Sequence, residues 1–219
     1  MARVPCTAMT NRLPPTLLAA AGTVLIWSGI RPHDYFTWLL EIFPALLGAA
    51  VLIATYRRFR FTDLAYVLMT LHAVILMVGG HYTYAEVPLF DWIRDAFHQA
   101  RNNYDKVGHF AQGFIPAIVA REILLRTSPL RPGKWLSFLV VAVCLAFSAV
   151  YEFIEWWVAL ASGTAADAFL GAQGYVWDTQ SDMLYCAVGA VLSLVLLYRL
   201  HDRMLQALPS RTLQGTGIR

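Results

Sequence analysis

Asp105, Lys106 and His109 stand close together at the head of a long apolar run, in the stretch "NNYDKVGHFAQGF". Asp105, His109 and Gln112 fall at i, i+4 and i+7, so in a helix one face carries all three. Further along, "SAVYEFIEWW" sets Glu152 and Glu155 three residues apart beside Tyr151, and "WDTQSDM" sets Asp178 and Asp182 four apart. "GGHYTY" adds His81, Tyr82 and Tyr84. Aspartate, glutamate and histidine together form a ligand set suited to divalent metals. A metal held there would activate water or polarise a phosphoryl oxygen. On this reading Asp105, His109, Asp178 and Asp182 ligate a divalent metal ion, the cofactor to expect. Glu152 or Glu155 serves as general base, and Lys106 stabilises an anionic lipid headgroup. His81, Tyr84, Gln112 and Gln180 complete the polar surface for binding.

An ordinary explanation competes with this one. Charged residues at the ends of membrane spans are often solvated interfacial groups. That suits Asp178 and Lys106 better than Glu152 and His109, which lie a turn or more inside their apolar runs. Ionisable groups within a span cost roughly 2.5–3.5 kcal/mol each on insertion scales, so they tend to face the bundle and pair. Here Asp105, Glu152, Glu155, Asp178 and Asp182 face one nearby fixed cation, Lys106. Either some carboxyls are protonated, or a metal cation or an arginine from elsewhere joins them.

The elements that must position these groups are membrane spans. Of 219 residues 58% are hydrophobic and only 14% charged, against roughly 25% charged in soluble domains. A helix crossing the hydrocarbon core needs roughly 20 apolar residues. Six runs qualify: Pro14–Ile30, Trp38–Tyr56, Phe61–Gly80, Tyr104–Leu125, Trp135–Leu160 and Asp182–Leu200. The expected fold is an all-α membrane bundle of six transmembrane helices. Residues 1–13 form an N-terminal segment, 14–200 the membrane domain and 201–219 a C-terminal tail. The first run is long and lacks a small-residue cleavage site, so it reads as a span and not as a signal peptide. Glu86–Asn103, with Phe90, Ile93 and Phe97 at helical spacing, reads as a short amphipathic helix at the interface.

Basic residues orient the bundle. With six spans, the side shared by both termini holds 13 Lys and Arg residues and the other side 4. By the positive-inside rule both termini are cytoplasmic, and the acidic and histidine groups gather at the extracytoplasmic end. The "RRFR" stretch at residues 57–60 therefore reads as a topology signal and not as a nucleic-acid patch. The expected partners are membrane lipids, with no nucleic acid. Cys6, Cys144 and Cys186 are far apart, lack metal-binding spacing and are read as small core residues. His72, alone in mid-span, is read as a packing residue. Glu122 and Asp63 are expected to be solvated, or paired with Arg121 and Arg60.

"TWLLEIFPALL", "TYRRF", "GGHYTYAEVPL", "YDKVGHFAQGF", "YEFIEWW" and "WDTQSDML" give the chain a nearly end-to-end resemblance to the YjdF-like family of bacterial inner-membrane proteins. That resemblance implies a polytopic inner-membrane protein and carries no activity with it. A shorter stretch, roughly 104–195, is similar to the VanZ-like family, in which D-K-x-x-H-F opens one span. A glutamate near the end of the next span and an acidic residue opening the last one complete that pattern. The matching residues are Asp105, Lys106, His109, Phe110, then Glu152 or Glu155, then Asp178 or Asp182. VanZ-like proteins also carry a glutamine and an arginine before the last acid. This chain has Gln173 and Gln180 there but no arginine. The similarity implies a link to cell-envelope lipids.

Three functions remain in competition on the sequence. One is an envelope protein binding or processing a lipid headgroup at the outer leaflet. Another is a small proton- or cation-coupled transporter, and the third is a scaffold without a site. Transport requires polar groups at the bilayer midplane, where only His72 stands, and no inverted repeat is visible.

Overall fold

The computed structural model describes residues 12–162 and 173–208. Most of the expected N-terminal segment 1–13, and of the tail 201–219, lies outside them. Seven α-helices and a single 3-10 turn make up these residues, and no strand occurs among them. The helices are α1 (Leu13–Ser28), α2 (Tyr35–Thr55), α3 (Asp63–Tyr82), α4 (Pro88–Ala96), α5 (Tyr104–Thr127), α6 (Lys134–Ser162) and α7 (Asp178–Gln206). Helix α7 thus continues six residues beyond the expected span end at Leu200.

Four helices, α2, α3, α6 and α7, are long and apolar enough to cross a membrane. Helix α1 is apolar but only 16 residues long. Helix α5 has 24 residues, but its polar groups dilute its apolar character. The outside of the bundle suits lipid: Ile26, Phe43, Ile53, Phe138, Phe147 and Leu196 are all exposed. Helix α4 leaves Leu89, Trp92 and Phe97, the residue that follows it, exposed while Phe90 packs on the Tyr104 ring at 5.2 Å.

Local sequence accounts for the helix ends. Pro14 and Pro15 open α1, where a missing N–H loses nothing. Asp34 caps α2, accepting from the Thr37 N–H at 2.6 Å. That bond is the main reason its carboxyl sits below its ordinary value. Thr62 caps α3 through its hydroxyl. At the far end of α3, Thr83 takes φ 58°, a conformation that β-branched residues rarely adopt. The turn it makes carries Tyr84 back into the bundle.

Helix α5 is the centre. It packs on α3, α6 and, most extensively, α7. Two glycines permit the α5–α7 approach: a Cβ on Gly113 would strike the Cys186 carbonyl, and one on Gly189 would strike the Phe110 carbonyl. Small residues at such crossings let helix backbones approach within the membrane. One apolar cluster, including Phe61, Ala65, Ala111, Ile115 and Ile118, joins α3 to α5. Another, including Ala117, Val140, Cys144, Cys186 and Ala190, joins α5, α6 and α7. Helices α1 and α2 both lie against α3.

An ionic clamp closes one end. Glu122 is fully buried and is not solvated. It accepts from the Thr62 N–H at 3.0 Å and the Thr62 hydroxyl at 2.7 Å. Arg126 pairs with it at 2.6 Å and His201 at 3.1 Å. Arg121 reaches His201 and, at 2.6 Å, Asp202. Asp63 lies 3.6 Å from Arg60. The start of α3 and the ends of α5 and α7 are thus fastened together, with partners other than those the sequence suggested for Glu122.

Candidate functional site

At the opposite end of α5 the polar residues converge. From Asp105 to Glu122 is 17 residues, about 25 Å of helix. Asn102, fully buried, sets the approach to α5. Its amide donates to the Val87 carbonyl and to Asp91, each at 3.1 Å, and accepts from the Tyr104 N–H at 3.1 Å. The Gln173 side chain brackets the Asn102 backbone at 3.1 and 2.8 Å, which ties the start of α5 to the segment before α7.

Lys106 is the hub of the first cluster. Its ammonium donates to Asp105 Oδ2 at 3.1 Å, to Asp178 Oδ1 at 2.8 Å and to Asp182 Oδ1. Those three bonds engage all of its N–H donors. Arg101 joins from just before the helix, 2.7 Å from Asp178 and 3.5 Å from Asp105. Its guanidinium also lies 5.0 Å above the Tyr175 ring. Arg101 is therefore the arginine that the acidic cluster called for. The sequence signal was its i, i+4 spacing to Asp105.

His109 faces the other side of the same carboxylates. Its Nδ1 lies 3.1 Å from Gln112 Oε1, a contact that is a hydrogen bond when Nδ1 carries the proton. Its Nε2 lies 3.2 Å from Asp105 Oδ1 and 3.8 Å from Asp182 Oδ2. These are the oxygens that Lys106 leaves free. Asp105, His109 and Asp182 are all buried, and they present ligand atoms within 4.8 Å of one another. Two ligand atoms about 2.1 Å from a common ion, at octahedral or tetrahedral angles, lie about 3.0–3.4 Å apart. Small side-chain movements would close this triad on a metal. The same spacing also suits an imidazolium donating to Asp105.

Glu152 approaches from α6. Its Oε1 lies 3.9 Å from His109 Nδ1 and has no hydrogen-bond partner, although the residue is only 7% exposed. A buried polar atom without a partner is uncommon and calls for an explanation such as an absent ion or ligand.

A cavity of about 70 Å³ opens beside His109. Its walls include Glu41, Tyr84, Asp105, Gln112, Tyr151 and Glu155. Such a volume holds on the order of five water positions. Tyr151 donates to Glu41 Oε2 at 3.3 Å. Tyr84 fits beneath the end of α3 because Gly79 and Gly108 have no side chains there; a Cβ on either would strike its ring. Glu41 is 4% exposed and was missed by the sequence reading. Its signal was present: a lone acid inside an apolar span.

Two expected binding residues lie elsewhere. His81 faces α1, with Nδ1 3.0 Å from the Ser28 carbonyl and its ring 4.6 Å from Trp27. Gln180 is exposed and lines no part of the cavity. His72, half-buried in the middle of α3, borders the cavity instead of merely filling space.

A family model described as "Predicted membrane protein (DUF2238)" matches residues 13–203. The chain is also 50% identical, over 202 residues, to the "Inner membrane protein YjdF" of Escherichia coli (strain K12). That alignment covers 90% of this chain and 97% of the relative. The chain therefore belongs to this family of membrane proteins, and no activity comes with the membership. No solved structure matches it.

Proposed function

We propose that this inner-membrane protein holds a divalent metal ion at Asp105, His109 and Asp182, and uses it to bind the phosphate-bearing headgroup of a cell-envelope lipid. In this reading α1 and α5 also span the membrane, giving six spans with both termini cytoplasmic. The site then lies in the extracytoplasmic leaflet.

One observation carries the proposal. His109 Nδ1 faces Gln112 Oε1 at 3.1 Å, while Nε2 faces two carboxylate oxygens that Lys106 does not engage. A histidine that binds metal ordinarily donates its other N–H to an acceptor of this kind. The surrounding charge agrees. Arg101 and Lys106 are committed to Asp105, Asp178 and Asp182. Among the described residues no basic side chain pairs with Glu41 or Glu155, and Glu152 has only His109 at 3.9 Å. So acidic a pocket repels a bare phosphate and accepts one bridged by a metal. Lys106, with its donors engaged, holds the ligand carboxylates in place. Should the bound headgroup be cleaved, Glu152 is the base within reach.

The test is purification without chelator, followed by elemental analysis and mass spectrometry of retained lipid. About one equivalent of a divalent metal, lost in Asp105→Asn and His109→Ala, supports the reading. Metal-free protein whose stability ignores added Mn²⁺, Zn²⁺ and Mg²⁺ removes it. Periplasm-active reporters should work after Asn102 and fail after Pro132. The reverse pattern would move the site to the cytoplasmic face.

A further inference from the structure

A second cavity, far larger and almost entirely apolar, adjoins the first. Its volume is about 530 Å³, within the range of roughly 300–1,000 Å³ usual for ligand sites. It is a groove along α3, walled by Leu17 and Leu18 of α1 on one side and by Gly48 and Leu52 of α2 on the other. Both helices pack on α3, which floors the groove. Pro44, His72 and Leu76 border both cavities, so the apolar groove begins where the polar pocket ends.

We infer that this groove takes one hydrocarbon chain of the lipid whose headgroup lies in the Glu41–His109 pocket. This rests on the headgroup reading above. The length suits it. On α2 the groove is bordered from Pro44 to Tyr56; twelve residues of helix span about 18 Å. One leaflet accounts for half of the roughly 30 Å hydrocarbon core, so the groove is about as long as one chain. The setting suits it as well. The groove lies along spans surrounded by lipid, and a cleft of that size is not left empty in a medium that packs as densely as its surroundings permit. Transfer of a chain from bilayer to groove gains little hydrophobic free energy, because lipid tails are as apolar as leucine. What fixes the chain is therefore its polar end, and the groove selects for a single chain beside it. Tyr56 and Tyr66 border the groove toward the Glu122 end and mark where the tail would stop.

Gly48 provides a clean test, because a Cβ built on it meets nothing within 4 Å. Gly48→Leu thus projects into the groove without disturbing the fold, and Gly48→Ala serves as the conservative control. The protein in a bulky sterol-type detergent, with and without Mn²⁺, is titrated with hexadecyl phosphate, hexadecanol and inorganic phosphate. Thermal stabilisation and Mn²⁺ affinity are read separately. The expected result is that hexadecyl phosphate stabilises the Mn²⁺-loaded parent more than either probe alone. Gly48→Leu should weaken that binding by at least about fivefold, the lower end of what overfilling a packed space does, with Mn²⁺ affinity unchanged. Gly48→Ala should bind nearly as the parent does. If inorganic phosphate matches hexadecyl phosphate, or Gly48→Leu binds the tailed probe as tightly as the parent, the groove assignment is overturned while the headgroup reading stands. If Mn²⁺ never binds but hexadecanol stabilises and Gly48→Leu abolishes the effect, the headgroup reading fails and the groove remains. A photo-crosslinking side chain at position 48 that couples to residues 1–11 or to a second copy, and not to lipid, also overturns the assignment.

Discussion

Glu152→Gln separates a ligand site from a structural ion pair. The substitution keeps side-chain size and removes one charge. Oε1 of Glu152 has no hydrogen-bond partner, and the basic group paired with it is His109 at 3.9 Å. Its neighbours Glu155, Asp105 and Asp182 are acids. Without ligand, neutralisation relieves repulsion and removes the burden of an ionisable group in a span, roughly 2.5–3.5 kcal/mol on insertion scales. Partial hydration of the pocket reduces that gain, so about 1 kcal/mol is expected, or roughly 2–4 °C in Tm for a chain of this size. With metal the order reverses. A ligand at a hundred times its Kd stabilises by about 2.7 kcal/mol, or roughly 5–10 °C, and the variant should lose most of it. Thermal unfolding in detergent, with chelator and with Mn²⁺, measures all four states. If Glu152 formed a paired structural charge, the variant would be less stable in chelator. That outcome, together with no response of either protein to Mn²⁺, refutes the site.

Three other perturbations have definite signs. Lys106→Met leaves Asp105, Asp178 and Asp182 without their shared ammonium and should lower stability by roughly 3–5 kcal/mol; adding Asp182→Asn should restore part of it in a double-mutant cycle. Gly113→Ala gains about 1 kcal/mol on helix propensity alone, yet it should destabilise, because the new Cβ meets the Cys186 carbonyl; a rise in Tm would contradict the close α5–α7 crossing. Asp34→Ala should cost about 1 kcal/mol through loss of the α2 cap. Because folding lowers the Asp34 carboxyl below its ordinary 3.8, its contribution is complete above that value and is lost as pH falls through the lower folded one. Asp34→Asn should lack that acid dependence in a pH-resolved unfolding series.

Position along each helix was legible in the sequence, and position around it was not. The apolar runs located every long helix, and the polar residues interrupting them marked the end of the bundle where they gather. His81 and Tyr84 are three residues apart, yet Tyr84 enters the cavity while His81 turns to Ser28 and Trp27. The Thr83 turn makes the difference, and nothing in "GGHYTY" announces a left-handed threonine. Gln180 shares its helix with Asp178 and Asp182 but falls on an exposed face. Glu41 went unnoticed because composition averages over a run, and a single acid does not alter the average of α2. Its meeting with Tyr151, 110 residues away, depends on which helices pack. Arg101 lay in a connecting segment, where a charge invites no explanation, although its spacing to Asp105 fits a pair.

The two ionic centres of the bundle differ in a way that bears on function. At the clamp, Oε1 of Glu122 accepts from the Thr62 N–H and from Arg126, and its Oε2 accepts from the Thr62 hydroxyl and faces His201 Nε2. Both Glu122 oxygens are satisfied, and three helix ends are held. Buried charge with complete compensation fixes a geometry and leaves nothing for a ligand to do. At the other end Lys106 is just as fully engaged, but Asp105 and Asp182 show their second oxygens to His109, and Glu152 Oε1, 3.9 Å from His109, accepts no hydrogen bond. Both centres carry the same kinds of residue and comparable burial. The second adjoins both a polar cavity and an apolar groove. A ligand that brings positive charge to the carboxylates and a chain to the groove suits both at once. The clamp fastens the start of α3 to the ends of α5 and α7 at the opposite end of the bundle.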